Sequence, residues 1–103
     1  MTFVGLPLRI PNLTKIYNVS PGYLHCLALD QYGRVLSAGS NKYGELGRSS
    51  GRYDQFCFIK RPINAEGQKL FINMISAGNK VSFIFAEDGK LYSFGCKRLS
   101  LQS

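Results

Sequence analysis

Val19-Ser-Pro-Gly-Tyr-Leu-His-Cys-Leu-Ala-Leu-Asp-Gln-Tyr-Gly-Arg-Val-Leu-Ser-Ala-Gly39 lies without a gap over Ile75-Ser-Ala-Gly-Asn-Lys-Val-Ser-Phe-Ile-Phe-Ala-Glu-Asp-Gly-Lys-Leu-Tyr-Ser-Phe-Gly95. Ser20 meets Ser76, Gly22 meets Gly78, Gly33 meets Gly89, Ser37 meets Ser93 and Gly39 meets Gly95, every pair 56 residues apart. Val19 with Ile75, Arg34 with Lys90 and Val35 with Leu91 are conservative matches in the same frame. A fixed period of this length marks a stack of supersecondary units, none of which buries its apolar face alone.

Within each copy the glycines end runs rich in β-branched and aromatic residues, where the backbone must turn or pass close to another segment. Glu87-Asp-Gly-Lys90 reads as a tight turn between strands over 81–86 and 91–94, and Asp30-Gln-Tyr-Gly-Arg34 as its slightly longer copy. A further strand precedes each hairpin, over 15–20 and 71–76. The run Gln55-Phe-Cys-Phe-Ile59 and its counterpart over 7–10 complete four short strands per repeat. No stretch carries helical apolar spacing for three turns, so the chain is all-β.

The faces of these strands decide how they are stacked. Val81, Phe83 and Phe85 alternate with Ile84 and Ala86, and Leu24, Cys26 and Ala28 alternate with Leu27 and Leu29, so both faces of each sheet are apolar. A strand covered on one side only alternates apolar with polar residues. Antiparallel four-stranded sheets apolar on both faces are expected to be sandwiched between copies of themselves, as propeller blades are.

Composition agrees with a folded, basic chain. It has 103 residues, 45% of them hydrophobic and 13% aromatic, and thirteen Lys and Arg against six Asp and Glu give a net charge of +7. That is too apolar for a solvated tail and allows one compact unit, residues 1–103, with repeat one over about 7–52 and repeat two over about 53–103. Cys26, Cys57 and Cys96 form no C-x-x-C pair, which argues against a disulfide scaffold or a zinc module and favours an intracellular, cytoplasmic or nuclear setting. The opening residues lack a basic leader and Pro7 and Arg9 cut their apolar run, so neither a signal peptide nor a membrane span is expected.

Ser20-Pro-Gly-Tyr-Leu-His25, Leu27-Ala-Leu29, Tyr32-Gly33, Val35-Leu-Ser-Ala-Gly39 and Asn41-Lys-Tyr-Gly-Glu-Leu-Gly47 together resemble the regulator of chromosome condensation repeat. The resemblance covers about residues 7–97. It implies a seven-bladed β-propeller for the family, whose founding member is an exchange factor for the small GTPase Ran that also docks on chromatin. In the second copy Val81 stands in place of His25, Asp88-Gly89 restores the turn that Tyr32-Gly33 blurs, and Lys97-Arg-Leu-Ser-Leu-Gln-Ser103 replaces the closing Asn-x-x-Gly-x-Leu-Gly. Two repeats fall short of the roughly four to eight blades that close a ring. An incomplete, open propeller or fragment is therefore expected, its two outer faces prone to self-association or to completion by further repeats.

No catalytic, metal or cofactor site is expected. His25, the only histidine, belongs to the repeat consensus and is read as a scaffold residue hydrogen-bonded within a blade, with no serine assignable to it as a nucleophile. Gly44-Glu-Leu-Gly47 lacks the ending and following helix of a phosphate loop. Gly22, Gly33, Gly39, Gly44, Gly47, Gly78, Gly89 and Gly95 are assigned to structural turns. Arg48 and Arg52, flanking a Ser-Ser-Gly loop, with Lys60 and Arg61 after the Phe56 to Phe58 strand, are the candidate partner-binding residues, since Arg and aromatic residues are enriched at interfaces. The expected function is that of a non-catalytic protein-protein interaction module. One alternative is a guanine-nucleotide exchange factor, or part of one, for a Ran-like small GTPase. A second is a basic module docking on chromatin or nucleic acid, nonspecifically through phosphates, although an acidic protein surface is the favoured target.

Overall fold

Strands of five or six residues and alternating direction, joined by a three-residue bend and then a four-residue turn, are what the repeat builds. The computed structural model describes residues 2–3 and 6–7 by their strand pairing and residues 15–49 and 52–95 in full. A two-stranded ribbon of β1 (Thr2–Phe3) and β2 (Leu6–Pro7) precedes two larger antiparallel sheets. The first contains β3 (Ile16–Pro21), β4 (His25–Asp30), β5 (Val35–Gly39) and β6 (Cys57–Phe58), in that spatial order. The second contains β7 (Ile72–Ala77), β8 (Val81–Ala86) and β9 (Leu91–Gly95). The bounds of β3, β4 and β5 recur in β7, β8 and β9 at the sequence period, and the irregularity of register at Ile16/Asn18 recurs at Ile72/Met74.

Three expectations change in detail. The run over 55–59 does not open the second sheet; β6 pairs with β5, Leu36 opposite Phe58 and Ser37 opposite Cys57, and closes the first. Its counterpart over 7–10 is met only at Pro7, in β2, and residues 8–10 lie outside the described residues. The two hairpin turns are the same length. Gly33 N–H donates to Asp30 and Asp30 N–H to Arg34 in one, and Gly89 N–H donates to Ala86 and Ala86 N–H to Lys90 in the other. The first copy keeps its turn carboxylate two residues earlier than the second: buried Asp30 accepts from the Tyr32 and Arg34 amides and from Arg34 Nε at 2.8 Å.

Burial follows the strand alternation. Leu27, Leu29 and Val35 on one face of the first sheet pack with Ile72, Ile75, Ile84 and Ala86 of the second, closed over by Ile59 and Leu70 and flanked by Tyr92 and Phe94. Each such side chain taken out of water contributes roughly 1.5–3 kcal/mol. On the opposite face of the first sheet, Cys26, Ala28, Leu36, Ala38 and Phe56 form a second buried cluster with Ile16 and Val19. Among the described residues one outer face is therefore open, where two were expected. It belongs to the second sheet, where Met74 is 61% and Phe85 39% exposed and a cavity of about 330 Å³ is lined by Met74, Ile75, Ser76, Phe83, Phe85 and Leu91.

Gly33 and Gly89 both have φ in the left-handed region, 73° and 83°, yet their surroundings differ. A Cβ on Gly33 would lie 2.4 Å from the Phe71 ring, whereas one on Gly89 would meet nothing within 4 Å. Gly89→Ala should cost only the backbone penalty, about 1 kcal/mol. Gly33→Ala should cost about 1–3 kcal/mol more because Phe71 must move. Urea unfolding of the two variants checks the order; equal losses would show that Phe71 yields without cost.

Candidate functional site

The strand directions sort the connections into two ends. Residues 22–24, 40–49, 52–56 and 78–80 lie at the end where β3 finishes and β4 begins, and 31–34, 59–71 and 87–90 lie at the other. The first end carries a polar network between the sheets. His25 Nε2 is 2.8 Å from Ser82 Oγ, and the Ser82 hydroxyl donates to the Glu45 carbonyl at 2.6 Å. Since the only hydroxyl proton goes to Glu45, Oγ accepts from Nε2–H, which makes His25 a donor toward the serine. All three residues are buried. The sequence could not assign a serine to this histidine, and the structure identifies Ser82 as its partner. His25 is bonded between blades rather than within one, and it cannot act as a base toward Ser82 while it donates to it.

The Asn41-x-x-Gly-x-Leu-Gly47 segment exists to deliver that Glu45 carbonyl. Asn41 Oδ1 accepts from Leu46 N–H and its Nδ2 donates to Arg48 O, Glu45 Oε1 accepts from Tyr43 N–H, and Leu46 is fully buried as the anchor. Ser20 Oγ accepts from Ala77 N–H at 2.9 Å, a second tie between the sheets. Gly22 and Gly78 stand in the bends before β4 and β8. They lack positive φ, and the absence of a side chain matters instead: a Cβ on Gly22 would lie 2.7 Å from the Gly78 carbonyl. Gly39, Gly44, Gly47 and Gly95 share the left-handed region with Gly33 and Gly89.

The four candidate cations do not form one patch. Arg48 ties the chain to itself, donating from Nη2 to the carbonyls of Ser37, Arg52 and Gln55 at 2.7–3.0 Å and from Nε to Ser37 Oγ. Arg52 is exposed and paired with Asp54 at 2.6 Å, which holds the Asp54 carboxyl below its usual range. Lys60 and Arg61 are at the opposite end, beyond the length of β5, where they flank a cavity of about 270 Å³ along β9 and Arg61 donates to Tyr32 O. Among the described residues no three His, Cys, Asp or Glu converge on a metal position. Cys26 is buried, and burial pushes its thiol up from the ordinary value; Cys57 is a free thiol, and Cys96 lies outside the described residues.

Sequence reading missed the group that the first end does assemble. Lys80 Nζ stands 4.7 Å and Lys42 Nζ 5.8 Å from the centroid of the Tyr43 ring. Tyr23, 69% exposed, and Leu24, 59% exposed, lie alongside, with Tyr23 N–H directed at Gly78 O and Ser40 N–H bonded to Leu24 O. Lys80 has φ 66°, the one non-glycine in the left-handed region among the described residues. Tyr43 sat inside the consensus loop and Lys80 opposite Leu24 in the repeat alignment, so neither stood out as a charge cluster.

Two measurements follow from this geometry. Burial pushes the His25 pKa below its ordinary value of 6.5, partly offset by the Glu45 charge and the Val81 backbone. The native state then binds its proton less readily than the unfolded chain. The resulting stability is complete above pH 6.5 and is lost as pH falls through the lower native value. Thermal unfolding should show a midpoint that declines as pH falls below about 6.5 in the parent chain. The decline should be absent in His25→Gln; a retained slope would place its source elsewhere. Lys80→Gly should raise stability by about 1 kcal/mol, since glycine occupies the left-handed region without penalty. A loss on the same unfolding curve would show that the Lys80 side chain outweighs its backbone strain.

No protein-family model matches the chain. It is 33% identical over 97 residues to the ultraviolet-B receptor UVR8 of Arabidopsis thaliana, an alignment covering 93% of this chain and 21% of that protein. It is 32% identical over 95 residues to the RCC1-like G exchanging factor-like protein of Homo sapiens, covering 89% of this chain and 20% of that one. Among solved structures, Prp20p from Saccharomyces cerevisiae, a protein with binding properties toward Gsp1p and histones, matches with a TM-score of 0.64 at 29% identity, over 84% of this chain and 21% of the other. The chain spans about a fifth of the length of these three proteins. The repeat register, the blade sheets and these similarities agree that the chain belongs to the regulator of chromosome condensation (RCC1) repeat family.

Proposed function

We propose that the chain works as a non-catalytic protein-protein interaction module: two adjacent blades, repeats over about 7–52 and 53–103, of a propeller that further repeats or a second copy complete. One observation carries this. The side chains capable of chemistry, His25, Ser82, Glu45 and Arg48, are engaged in holding the blades and their loops. Those offered to solvent at the loops are aromatic, apolar and basic contact residues such as Tyr23, Leu24, Lys42 and Lys80. Rigid blades presenting loop residues of this kind suit binding. The open face of Met74, Phe83, Phe85 and Leu91 is the place for completion, because its counterpart in the first sheet, Leu27, Leu29 and Val35, is the surface on which the second sheet sits. The free thiols of Cys26 and Cys57, among the described residues, support an intracellular setting.

A second reading is exchange-factor activity. A relative named as G exchanging factor-like and the matched Prp20p, with its binding properties toward Gsp1p, favour it. The two readings separate in one assay. When the chain is added to a Ran-like small GTPase loaded with a fluorescent nucleotide, release should stay at its intrinsic rate. An acceleration of about tenfold or more, equivalent to about 1.4 kcal/mol in the barrier, would replace the first reading by the second.

A further inference from the structure

We infer that the loop cluster of Tyr23, Leu24, Lys42, Tyr43 and Lys80 binds an acidic protein segment, one in which Asp or Glu residues alternate with apolar ones. This rests on the reading of the chain as an interaction module and names the chemistry of its partner. Two ammonium groups from different connections converge on one tyrosine ring, at 4.7 and 5.8 Å. The carboxylates at this end do not answer them: Glu45 is buried and receives the Tyr43 amide, and Asp54 is paired with Arg52. The other four, Asp30, Glu66, Glu87 and Asp88, are at the opposite end.

The backbone places one of these ammonium groups at a conformational cost. Seven described glycines occupy the left-handed region, and Lys80 is the only other residue there. Its carbonyl packs against Gly95, where a Cβ would approach to 2.5 Å, and the bend is closed by Gly78 N–H donating to Val81 O. An observed backbone outlier of this kind, bearing an exposed charge, is a mark of a binding site when other groups converge with it. Here Tyr23 and Leu24 converge, adding exposed apolar surface beside the charge.

That mixture selects protein over nucleic acid. Phosphate backbones are held by the number of cations presented, and two contacts give a salt slope of only about −1.8, too shallow a source of affinity at physiological salt. An acidic segment gains from the lysines and from the apolar surface together, and the lysines also set its orientation.

The test is a fluorescence anisotropy titration of the full chain with a labelled peptide of about twelve residues in which Glu and Asp are interrupted by Phe at every fourth position. Binding should saturate and weaken with added salt. The double variant Lys42→Ala, Lys80→Gly should weaken it about tenfold, from roughly half the loss at each cation. Glycine suits φ at position 80, and a thermal scan showing an unchanged or raised midpoint excludes unfolding as the cause. Tyr23→Ser with Leu24→Ser should weaken binding and leave its salt dependence in place. Lys60→Ala with Arg61→Ala, at the far end, should change it less than about twofold. Absence of binding at low salt, an equal loss from the far-end pair, or tighter binding of a DNA oligonucleotide of equal charge through the same lysines would each overturn the inference. If the peptide fails to bind and nucleotide release stays at its intrinsic rate, the inference falls and the module reading stands. Accelerated release would remove the module reading whatever the peptide does.

Discussion

Everything in this chain depends on one face of the first sheet being covered by the opposite face of the second. Leu27, Leu29 and Val35 are buried only because Ile72, Ile75, Ile84 and Ala86 lie over them. A four-stranded sheet with two apolar faces is not a stable object in water by itself, so the sequence repeats the unit and lets one copy serve as solvent for the next. The same logic leaves Phe83 and Phe85 on the far side of the second sheet still in need of a neighbour. The stacking rule that stabilises the pair thereby defines where a propeller would continue.

Apolar faces alone would let the sheets slide, because such contacts have little direction. Direction comes from a few polar groups at one end. His25 donates to Ser82, Ser82 donates to the Glu45 carbonyl, and Ser20 accepts from the Ala77 amide. Each bond crosses between the copies. The short consensus segments are therefore ties between blades. Unpairing such groups is costly, which is why they fix one arrangement. With the ties confined to the interior, the loops at that end are free to differ from copy to copy, as Tyr23-Leu24 differs from Asn79-Lys80.

The fold was legible in the sequence because repetition and strand alternation are local signals. Three glycines in register located the turns, and alternation of Leu27 and Leu29 with Cys26 and Ala28 gave both faces of β4 correctly. What was not legible depended on which segment meets which across space. Phe56 to Phe58 read as the start of a repeat, yet hydrogen bonding to β5 made it the end of a sheet. Val81 in the place of His25 suggested that the histidine had no counterpart, whereas the residue it bonds, Ser82, is the copy of Cys26. Arg48 and Lys60 looked like neighbours on a basic surface, but β5 stands between them and Arg48 is bound to three carbonyls. Lys80 could not be distinguished from any exposed lysine until its φ and its place over Tyr43 were known.

The central claim is that the two copies are locked by the buried bond between His25 and Ser82. A double-mutant cycle of His25→Leu and Ser82→Ala, followed by urea unfolding, measures it directly. His25→Leu takes the donor from Ser82 Oγ, and Ser82→Ala takes the acceptor from His25 Nε2 and the donor from the Glu45 carbonyl; the Glu45 loss is common to the single and double variants and cancels in the cycle. The account predicts that the two losses fail to add, with a coupling of at least about 0.5 kcal/mol. Losses that add to within about 0.3 kcal/mol would contradict it, and would mean that apolar stacking alone sets how the blades meet.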